Sequence, residues 1–262
     1  VTNCTSPLVT TMTTSHSINL GNSLIAGTTY TYQVKSRDSS GNLATSANQT
    51  FTTQAAPTPT PTPTGLISHW KFDETSGTTA LDSSGNNKTG TLTNGPIWTI
   101  GKVNNALRFD GIDDYVDAGD IGNLNSSEMS VSFWINFSQL PAGWDSVISK
   151  GIGGGTDQFQ YVIGSNGSGG NLSLNTSDAT NQYNGNCVVN LTGKTNQWLH
   201  YTYIWSDTGN WCRAYENGTQ VASQNITIGI NTIATHPLQI GLGYGGTGRS
   251  VNAMIDDVRI YT

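Results

Sequence analysis

The chain has 262 residues, of which 17 are acidic and 11 are basic, and its formal charge is -6. Because an acidic chain without Lys- or Arg-rich runs cannot neutralise many phosphates, these counts exclude nucleic acid as the expected partner. No apolar run approaches the ~20 residues needed to cross a bilayer, so we expect no membrane insertion. Only 11% of residues are charged, and Asn, Thr, Ser and Gly supply the remaining polarity. Those residues suit turns and sheet surfaces, so we predict an all-β chain.

The N-terminal segment ends in a closing strand at Phe51 and contains one clearly alternating stretch. Tyr30, Tyr32 and Val34 alternate with polar residues, which indicates a half-buried strand. The residues at 38–42, Asp-Ser-Ser-Gly-Asn, are typical of a tight turn. In these features the segment resembles the C-terminal half of a fibronectin type III domain. Since such a sandwich has about 100 residues and seven strands, the resemblance implies a partial domain that is unstable alone.

Alternating Pro and Thr residues at 57–64 mark the main boundary of the chain. Each Pro fixes φ and pushes the preceding residue out of the helical region, so the run favours extended polyproline II. Such a run is a semi-rigid spacer between modules. We therefore divide the chain into a fibronectin-like segment at 1–53, a linker at 54–64 and a C-terminal domain at 65–262.

The C-terminal domain contains many short apolar or alternating runs that are separated by Gly- and Asn-rich turns. This pattern predicts a two-sheet jelly-roll sandwich. The predicted strands are His69–Phe72, Ala106–Phe109, Asp114–Val116, Met129–Phe137, Ser146–Ser149, Gln158–Ile163, Leu199–Trp205, Arg213–Tyr215, Leu238–Ile240 and Ile255–Tyr261.

An ordered set of motifs in this domain resembles the bacterial laminin-G-like domains, which have the concanavalin A-like fold. The set runs from Trp70–Gly77 through Gly101–Gly111 to Ile255–Tyr261. The resemblance implies a jelly roll that serves as a non-catalytic module of extracellular enzymes or adhesins, often binding carbohydrate and carrying calcium. The chain begins at Val1 without an initiator Met, so we interpret it as a fragment or a mature segment. The Pro-Thr spacer and the resemblance lead us to expect a secreted or cell-surface location and upstream modules of the same polypeptide.

The sequence lacks the carboxylate pattern of the glucanases that share this fold. Those enzymes place paired acids on one strand as E-x-D-x-x-E, because retaining hydrolysis needs two carboxyl groups about 5 to 5.5 Å apart. The glutamates are Glu74, Glu128 and Glu216, each expected at a strand end or turn. We therefore predict that the chain is not an enzyme, although it could be an accessory module of a larger secreted enzyme.

Carbohydrate recognition needs aromatic rings beside polar side chains, and one predicted hairpin offers both. Trp205 and Trp211 flank a short turn that contains Asp207 and Asn210, so these four residues form our predicted sugar site. The alternative is that both tryptophans close the edge of the core. Further aromatic candidates in or beside polar loops are Trp144, Tyr183 and Tyr244, whereas Trp70, Trp134 and Trp198 occupy motif positions and are assigned to the core.

Calcium is the predicted metal, since it prefers carboxylate, amide and backbone oxygens in irregular loops. Asp82 and Asn87 lie in one such loop, and Asp256 alternates in phase with the apolar residues of the last strand. The resemblance places the first and last strands side by side, which would bring Asp82 and Asp256 together. Asp110 and Asp73 are further candidates. The alternative is that these acids accept hydrogen bonds in turns.

Three cysteines are too few for a disulfide scaffold. Cys187 and Cys212 lie in two apolar segments. Two alternatives follow for this pair: a disulfide between the sheets, or two buried thiols. Cys4 is left over.

The expected function is a calcium-stabilised, extracellular carbohydrate-binding module whose partner is a polysaccharide or glycan. The alternative is a structural or adhesive cell-surface module that binds no glycan.

Overall fold

The computed structural model describes residues 24–38, 40–54, 65–122, 128–151, 160–177, 183–206, 208–226, 237–243 and 248–262. The chain divides into two compact units at residues 1–61 and 62–262. This division falls within the Pro-Thr run, whose own residues lie outside the described ranges. Every regular element in those ranges is a β-strand, so they contain no helix that could cross a membrane.

The first unit contains two short antiparallel strand pairs. Its strands are β1 (Thr29–Tyr32), β2 (Lys35–Arg37), β3 (Leu43–Thr45) and β4 (Gln49–Thr52). Strand β1 pairs with β4, and β2 pairs with β3. Tyr30 stacks on Phe51 with ring centroids 5.6 Å apart. The carboxylate of Asp38 accepts hydrogen bonds from the backbone N–H groups of Ser40 and Asn42, which closes the turn between β2 and β3.

The second unit consists of short and medium strands joined by turns. They are β5 (Leu66–Trp70), β6 (Thr79–Ala80), β7 (Gly90–Thr93), β8 (Ile97–Ile100), β9 (Asn105–Asp110), β10 (Tyr115–Asp117), β11 (Glu128–Phe137), β12 (Ser146–Lys150), β13 (Tyr161–Gly164), β14 (Asn171–Ser177), β15 (Tyr183–Asn190), β16 (Leu199–Ser206), β17 (Trp211–Glu216), β18 (Thr219–Asn225), β19 (Leu238–Ile240) and β20 (Asn252–Tyr261).

These strands form two antiparallel sheets, which confirms the predicted all-β, concanavalin A-like sandwich. Sheet I has the order β15-β14-β13-β12-β19-β10-β7-β6. Sheet II has the order β18-β17-β16-β11-β20-β9-β8, and β5 also pairs with β20. Strand β14 was not among the predicted strands, although Leu172 and Leu174 alternate there with polar residues. Strand β18 was not predicted either, because its mostly exposed side chains leave no apolar signal.

Strand β20 changes partner halfway along its length. One edge pairs with β11, whereas the other edge pairs first with β9 at Asn252–Ile255 and then with β5 from Val258 onward. The change falls at Asp256 and Asp257, where the β11 register is irregular and Asp257 has φ 52. The first and last strands of the unit are therefore neighbours, and two carboxylates lie where the sheet exchanges one strand for another.

The core lies between the sheets because each strand points alternate side chains inward. On sheet II the inward residues include Phe133, Tyr201, Tyr203 and Trp205, all fully buried. Tyr161 of sheet I meets Trp205 with ring centroids 5.2 Å apart. The aromatic layer thus connects the two sheets.

A disulfide joins Cys187 of β15 to Cys212 of β17, with the two Cα atoms 6.1 Å apart. Since β15 belongs to sheet I and β17 to sheet II, this bond links the two sheets near one edge. Cys4 lies outside the described residues.

Loss of this disulfide should destabilise the sandwich. The bond closes a loop with a sequence separation of 25 residues, so its removal should lower the free energy of unfolding by about 3 kcal/mol. We expect a reductant to shift urea unfolding of the native chain by that amount and to leave a Cys187→Ala/Cys212→Ala variant unchanged. An equal midpoint with and without reductant in the native chain would contradict this expectation.

Candidate functional site

The outer face of sheet II carries the alternate side chains that point away from the core. Its side chains are partly or largely exposed, whereas most of their neighbours along each strand are buried. The members are Ser130, Ser132 and Trp134 on β11; His200, Thr202 and Ile204 on β16; Trp211, Arg213 and Tyr215 on β17; and Arg259 and Tyr261 on β20.

Aromatic rings are distributed along this outer face. The register pairs Trp134 with His200, whereas Trp211 pairs with Ser206 at the other end of β16. Because strands rise about 3.4 Å per residue, Trp134 and Trp211 lie about 20 Å apart along the strand direction. Tyr215 lies between them in that direction. The assignment of Trp134 to the core from its motif position was wrong, because Trp134 is in phase with Ser130 and Ser132 on the polar side of β11.

A buried carboxylate holds the turn between β8 and β9 against this face. Oδ2 of Asp256 accepts hydrogen bonds from the backbone N–H groups of Lys102 and Val103, each at 2.8 Å. A Cβ on Gly101 would lie 2.7 Å from that oxygen and 2.3 Å from the carbonyl oxygen of Asn105, so only glycine fits there. The turn places the Lys102 ammonium 5.1 Å from the centre of the Trp134 ring.

Burial raises the pKa of Asp256 to about 6, against an ordinary value of 3.8. The two backbone hydrogen bonds lower this pKa, while the nearby carboxylates of Asp257 and Asp73 raise it further. The other oxygen, Oδ1, has no hydrogen-bond partner and is fully enclosed by the protein. Ionised Asp256 is therefore costly to the fold above pH 6.

Asp256→Asn should remove this pH dependence and keep an oxygen for the Lys102 and Val103 donors. Because the folded state holds the proton more tightly than the unfolded chain, Asp256 stabilises the native protein at pH 4 and loses that contribution as the pH rises through 6. We expect the native free energy of unfolding to fall relative to that of the variant by about 2 kcal/mol between pH 4 and pH 7.5. Urea unfolding at several pH values measures this difference, and a difference independent of pH would refute it.

The residue after Asp256 belongs to an ion-paired group on β20 and β5. Asp257 Oδ1 lies 2.6 Å from Nε2 of His69, and Oδ2 lies 2.9 Å from Nη2 of Arg259. Burial alone would raise the pKa of Asp257, but these partners lower it overall. The His200 ring lies 5.1 Å from that of Trp134, and burial lowers the pKa of His200. The face thus combines an aromatic ring, a partly buried imidazole and fixed charges.

The structure separates Trp205 from Trp211, the two tryptophans of the predicted hairpin site. Trp205 points between the sheets and is fully buried, so its ring cannot stack on a sugar and its assignment to the site was wrong. It is in phase with Tyr201 and Tyr203. Trp211 is only partly buried, with the Arg213 guanidinium 4.4 Å from its ring centre, and the neighbouring Asn210 is exposed with φ 53. Asp207 lies outside the described residues.

Of the other aromatic candidates, the structure describes the side chain of Trp144, which lies away from Trp211. Trp144 precedes β12, whose far end is the one that reaches Tyr161 and Trp205, so Trp144 belongs to the opposite end of the sandwich. A Cβ on Gly167 would lie 2.8 Å from the Trp144 ring, which shows that this ring packs on a loop. Tyr183 begins β15 and its side chain is outside the described residues, as is all of Tyr244.

Among the acids predicted to bind calcium, Asp82 has its oxygens fully engaged in a turn. They accept hydrogen bonds from the N–H groups of His69, Ser84 and Lys88 and from the Ser84 hydroxyl. Burial alone would raise the pKa of Asp82, but these bonds lower it overall. Asn87 is exposed in the same turn with φ 57.

Asp73 and Asp256 are likewise engaged, at the turn between β8 and β9. Asp73 accepts hydrogen bonds from Asn104 and Asn105. Asp256 accepts hydrogen bonds from the backbone of Lys102 and Val103 in the same turn. These acids therefore serve two separate turns, and the structure does not join Asp82 and Asp256 in one ligand set.

Asp110 belongs to an acidic group that sequence reasoning did not assemble. Within the described ranges, Asp110, Asp113 and Asp114 offer oxygens that all lie within 4.8 Å of one another. Asp114 is buried, and its Oδ2 accepts the backbone N–H of Asp110 at 3.0 Å. Burial raises the pKa of Asp114, and the other two carboxylates raise it further. The chemistry of this oxygen set suits a hard cation.

Glu128 and Glu216 do not form a hydrolytic pair across β11, β16 and β17. Glu128 pairs with Ser206, which pairs with Trp211 at the start of β17, whereas Glu216 ends that strand. Five residues of extended strand separate the two positions by about 17 Å. That distance exceeds the span of about 5 to 9.5 Å over which two carboxyl groups cooperate in glycoside hydrolysis. Glu216 also accepts hydrogen bonds from Tyr201 and Lys194.

Comparisons with known proteins agree with this architecture. A family model described as the concanavalin A-like lectin/glucanases superfamily matches residues 109–262, which is more than half of the chain. A comparison with curated proteins gives no match.

Similar solved structures include domain 4 of an extracellular arabinanase from Geobacillus stearothermophilus, solved in complex with arabinotriose. It is 21% identical, with a TM-score of 0.56 over 75% of this chain and 92% of that one. The binding domain of Paraclostridial mosquitocidal protein 1 is 19% identical, with a TM-score of 0.57 over 75% and 48%. The receptor-binding domain of botulinum neurotoxin D is 16% identical, with a TM-score of 0.53 over 75% and 49%. The chain spans about half the length of the two toxin domains, and at these identities the likeness shows the fold.

Proposed function

The chain belongs to the concanavalin A-like lectin/glucanase superfamily, and from that premise we propose that it is a non-catalytic, extracellular carbohydrate-binding module. The observation that carries the proposal is the set of partly exposed aromatic rings, Trp134, Trp211, Tyr215 and Tyr261, on the outer face of sheet II. An aromatic ring offers an apolar face for the C–H groups of a sugar. The Ser and Thr hydroxyls between the rings can exchange hydrogen bonds with sugar hydroxyls.

An open sheet face suits the interior of a polysaccharide chain. The rings are spread over about 20 Å, so a ligand must extend across several of them to use the whole surface. The arabinanase domain, whose solved complex contains arabinotriose, has the same fold and supports a sugar ligand for this chain as well. The disulfide between the sheets supports an oxidising, extracellular location.

Substitution of the outer-face tryptophans tests this proposal directly. We expect Trp134→Ala and Trp211→Ala each to weaken binding to a polysaccharide found on a glycan array by about tenfold, which corresponds to about 1.4 kcal/mol of lost ring contact. Affinity electrophoresis or calorimetry measures the change. Trp205→Phe is the matched control, since that ring is buried and its replacement should leave affinity intact. Equal binding by all three variants would argue against this surface.

A calcium ion at Asp110, Asp113 and Asp114 is the second component of the proposal. Three carboxylates within 4.8 Å repel one another, and a divalent cation would relieve that repulsion. We expect calcium to raise the thermal unfolding midpoint and a chelator to reverse the rise. Asp113→Asn should abolish the shift, whereas Asp82→Asn should retain it. A midpoint that does not respond to calcium in the native chain would contradict the site.

One observation favours the alternative of an adhesive module with a protein partner. The edge strand β8 exposes Ile97 by 51% and Ile100 by 81%, and the adjoining turn exposes Val103 by 48%. A partner strand or apolar surface could cover this edge. Absence of any hit on a glycan array, with an intact fold and concentration-dependent association, would favour this function.

The first unit is proposed to be the C-terminal part of a fibronectin type III domain, which would place the binding module downstream of other modules of one polypeptide. The antiparallel β1–β4 and β2–β3 pairs and the Tyr30–Phe51 stack support this assignment.

A further inference from the structure

Both cation–indole contacts of the described residues lie on the outer face of sheet II. The Lys102 ammonium lies 5.1 Å from the Trp134 ring centre, and the Arg213 guanidinium carbon lies 4.4 Å from the Trp211 ring centre. The two tryptophans stand at opposite ends of the face, about 20 Å apart along the strands. The same pair, one indole with one cation, therefore occurs twice on one surface.

Within the described part of the chain, neither cation is neutralised by an ion pair. Among the described residues, the salt bridges use Lys150, Lys194, Arg259 and His69, and no carboxylate pairs with the ammonium of Lys102 or the guanidinium of Arg213. Asp256 binds the backbone N–H of Lys102 and leaves its ammonium to the indole. Both side chains are exposed. In a chain of charge -6, this face presents two cations whose charge is available to a ligand.

Each indole–cation pair matches two chemical features of an acidic sugar. The ring surface that the cation leaves uncovered packs against the apolar face of the sugar ring. The adjacent cation donates charge-assisted hydrogen bonds to an anionic group, and the planar guanidinium of Arg213 can do so with two parallel bonds. A neutral sugar would use the ring and leave the cation without a counter-charge.

We propose that the ligand of this face is an anionic polysaccharide that contacts both indole–cation pairs at once. This inference rests on the proposed carbohydrate function and names the class of sugar. The two pairs act as linked subsites, because a chain bound at one pair presents its next anionic groups to the other at high effective concentration. A ligand too short to span about 20 Å reaches one pair only. Affinity should therefore rise steeply once the chain is long enough to span both.

The test compares polygalacturonate with its methyl ester, which keeps the same backbone but carries no charge. We expect the full 262-residue chain to bind the acid at least about tenfold more tightly than the ester at low ionic strength. The preference should shrink as salt is added, since exposed charges are screened over about 10 Å at 0.1 M salt. Dextran sulfate serves as a second ligand. Binding to dextran sulfate would show that the chain recognises negative charge in general, whereas failure to bind it would show that the chain recognises the carboxylate group.

Charge-removing variants identify the residues. Lys102→Met and Arg213→Met should each weaken binding to polygalacturonate about five- to tenfold, with the double variant binding acid and ester equally. Lys35→Met, an exposed lysine of β2 in the other unit, is the matched control and should bind as the native chain does. Unchanged thermal unfolding midpoints verify that the variants fold.

Two results would overturn the inference while leaving the proposed function standing: equal affinity for acid and ester, or undiminished affinity in the double variant while Trp134→Ala still loses binding. If neither polygalacturonate nor its ester binds and a glycan array gives no hit, the carbohydrate function itself is refuted. These experiments therefore distinguish failure of the anionic-ligand proposal from failure of the carbohydrate-binding function.

Discussion

The alternation of side chains across an extended strand governs both the fold and the surface of this protein. On β11 and β16 one set of residues builds an aromatic core against sheet I, and the other set forms the outer face of sheet II. A shift by one residue would exchange the two sets. The interdigitated aromatic layer, in which Tyr161 meets Trp205, therefore fixes which tryptophans can meet a ligand. Trp205 belongs to the core, and Trp134 and Trp211 belong to the surface.

A second constraint lies at the partner exchange of β20. The strand leaves β9 and joins β5 at Asp256 and Asp257, and each carboxylate is used to organise the surroundings. Asp256 fixes the turn that carries Lys102, and Asp257 fixes Arg259 and His69. The placement of charge beside Trp134 thus depends on a local break in the sheet. Burial of Asp256, with one unpartnered oxygen, is the energetic cost of that arrangement.

The sequence contained enough information for the fold and only part of the site. Apolar runs, turns and the ordered motifs predicted the sandwich, because strand alternation is a local signal. The same signal could have identified Trp134, which shares the phase of Ser130 and Ser132, and could have assigned Trp205 to the phase of Tyr201. Proximity along the chain instead suggested that Trp205 and Trp211 act together. Side chains at the adjacent ends of two strands can nevertheless point to opposite faces of the sheet. The contact of Lys102 with Trp134 was beyond sequence reasoning, since it depends on a turn that crosses from β8–β9 to β11. Asp82 shows a related limit: an acid in a polar loop is compatible with a metal or a turn, and only its four hydrogen bonds decide between them.

The most direct test of the central claim is an NMR titration of the tryptophan indole N–H signals with a polysaccharide fragment. If the outer face of sheet II is the binding surface, the signals of Trp134 and Trp211 will shift together and saturably. Those of the buried Trp70 and Trp205 will remain in place. Saturable binding that leaves the Trp134 and Trp211 signals unmoved would show that the sugar is held elsewhere, and would contradict the account.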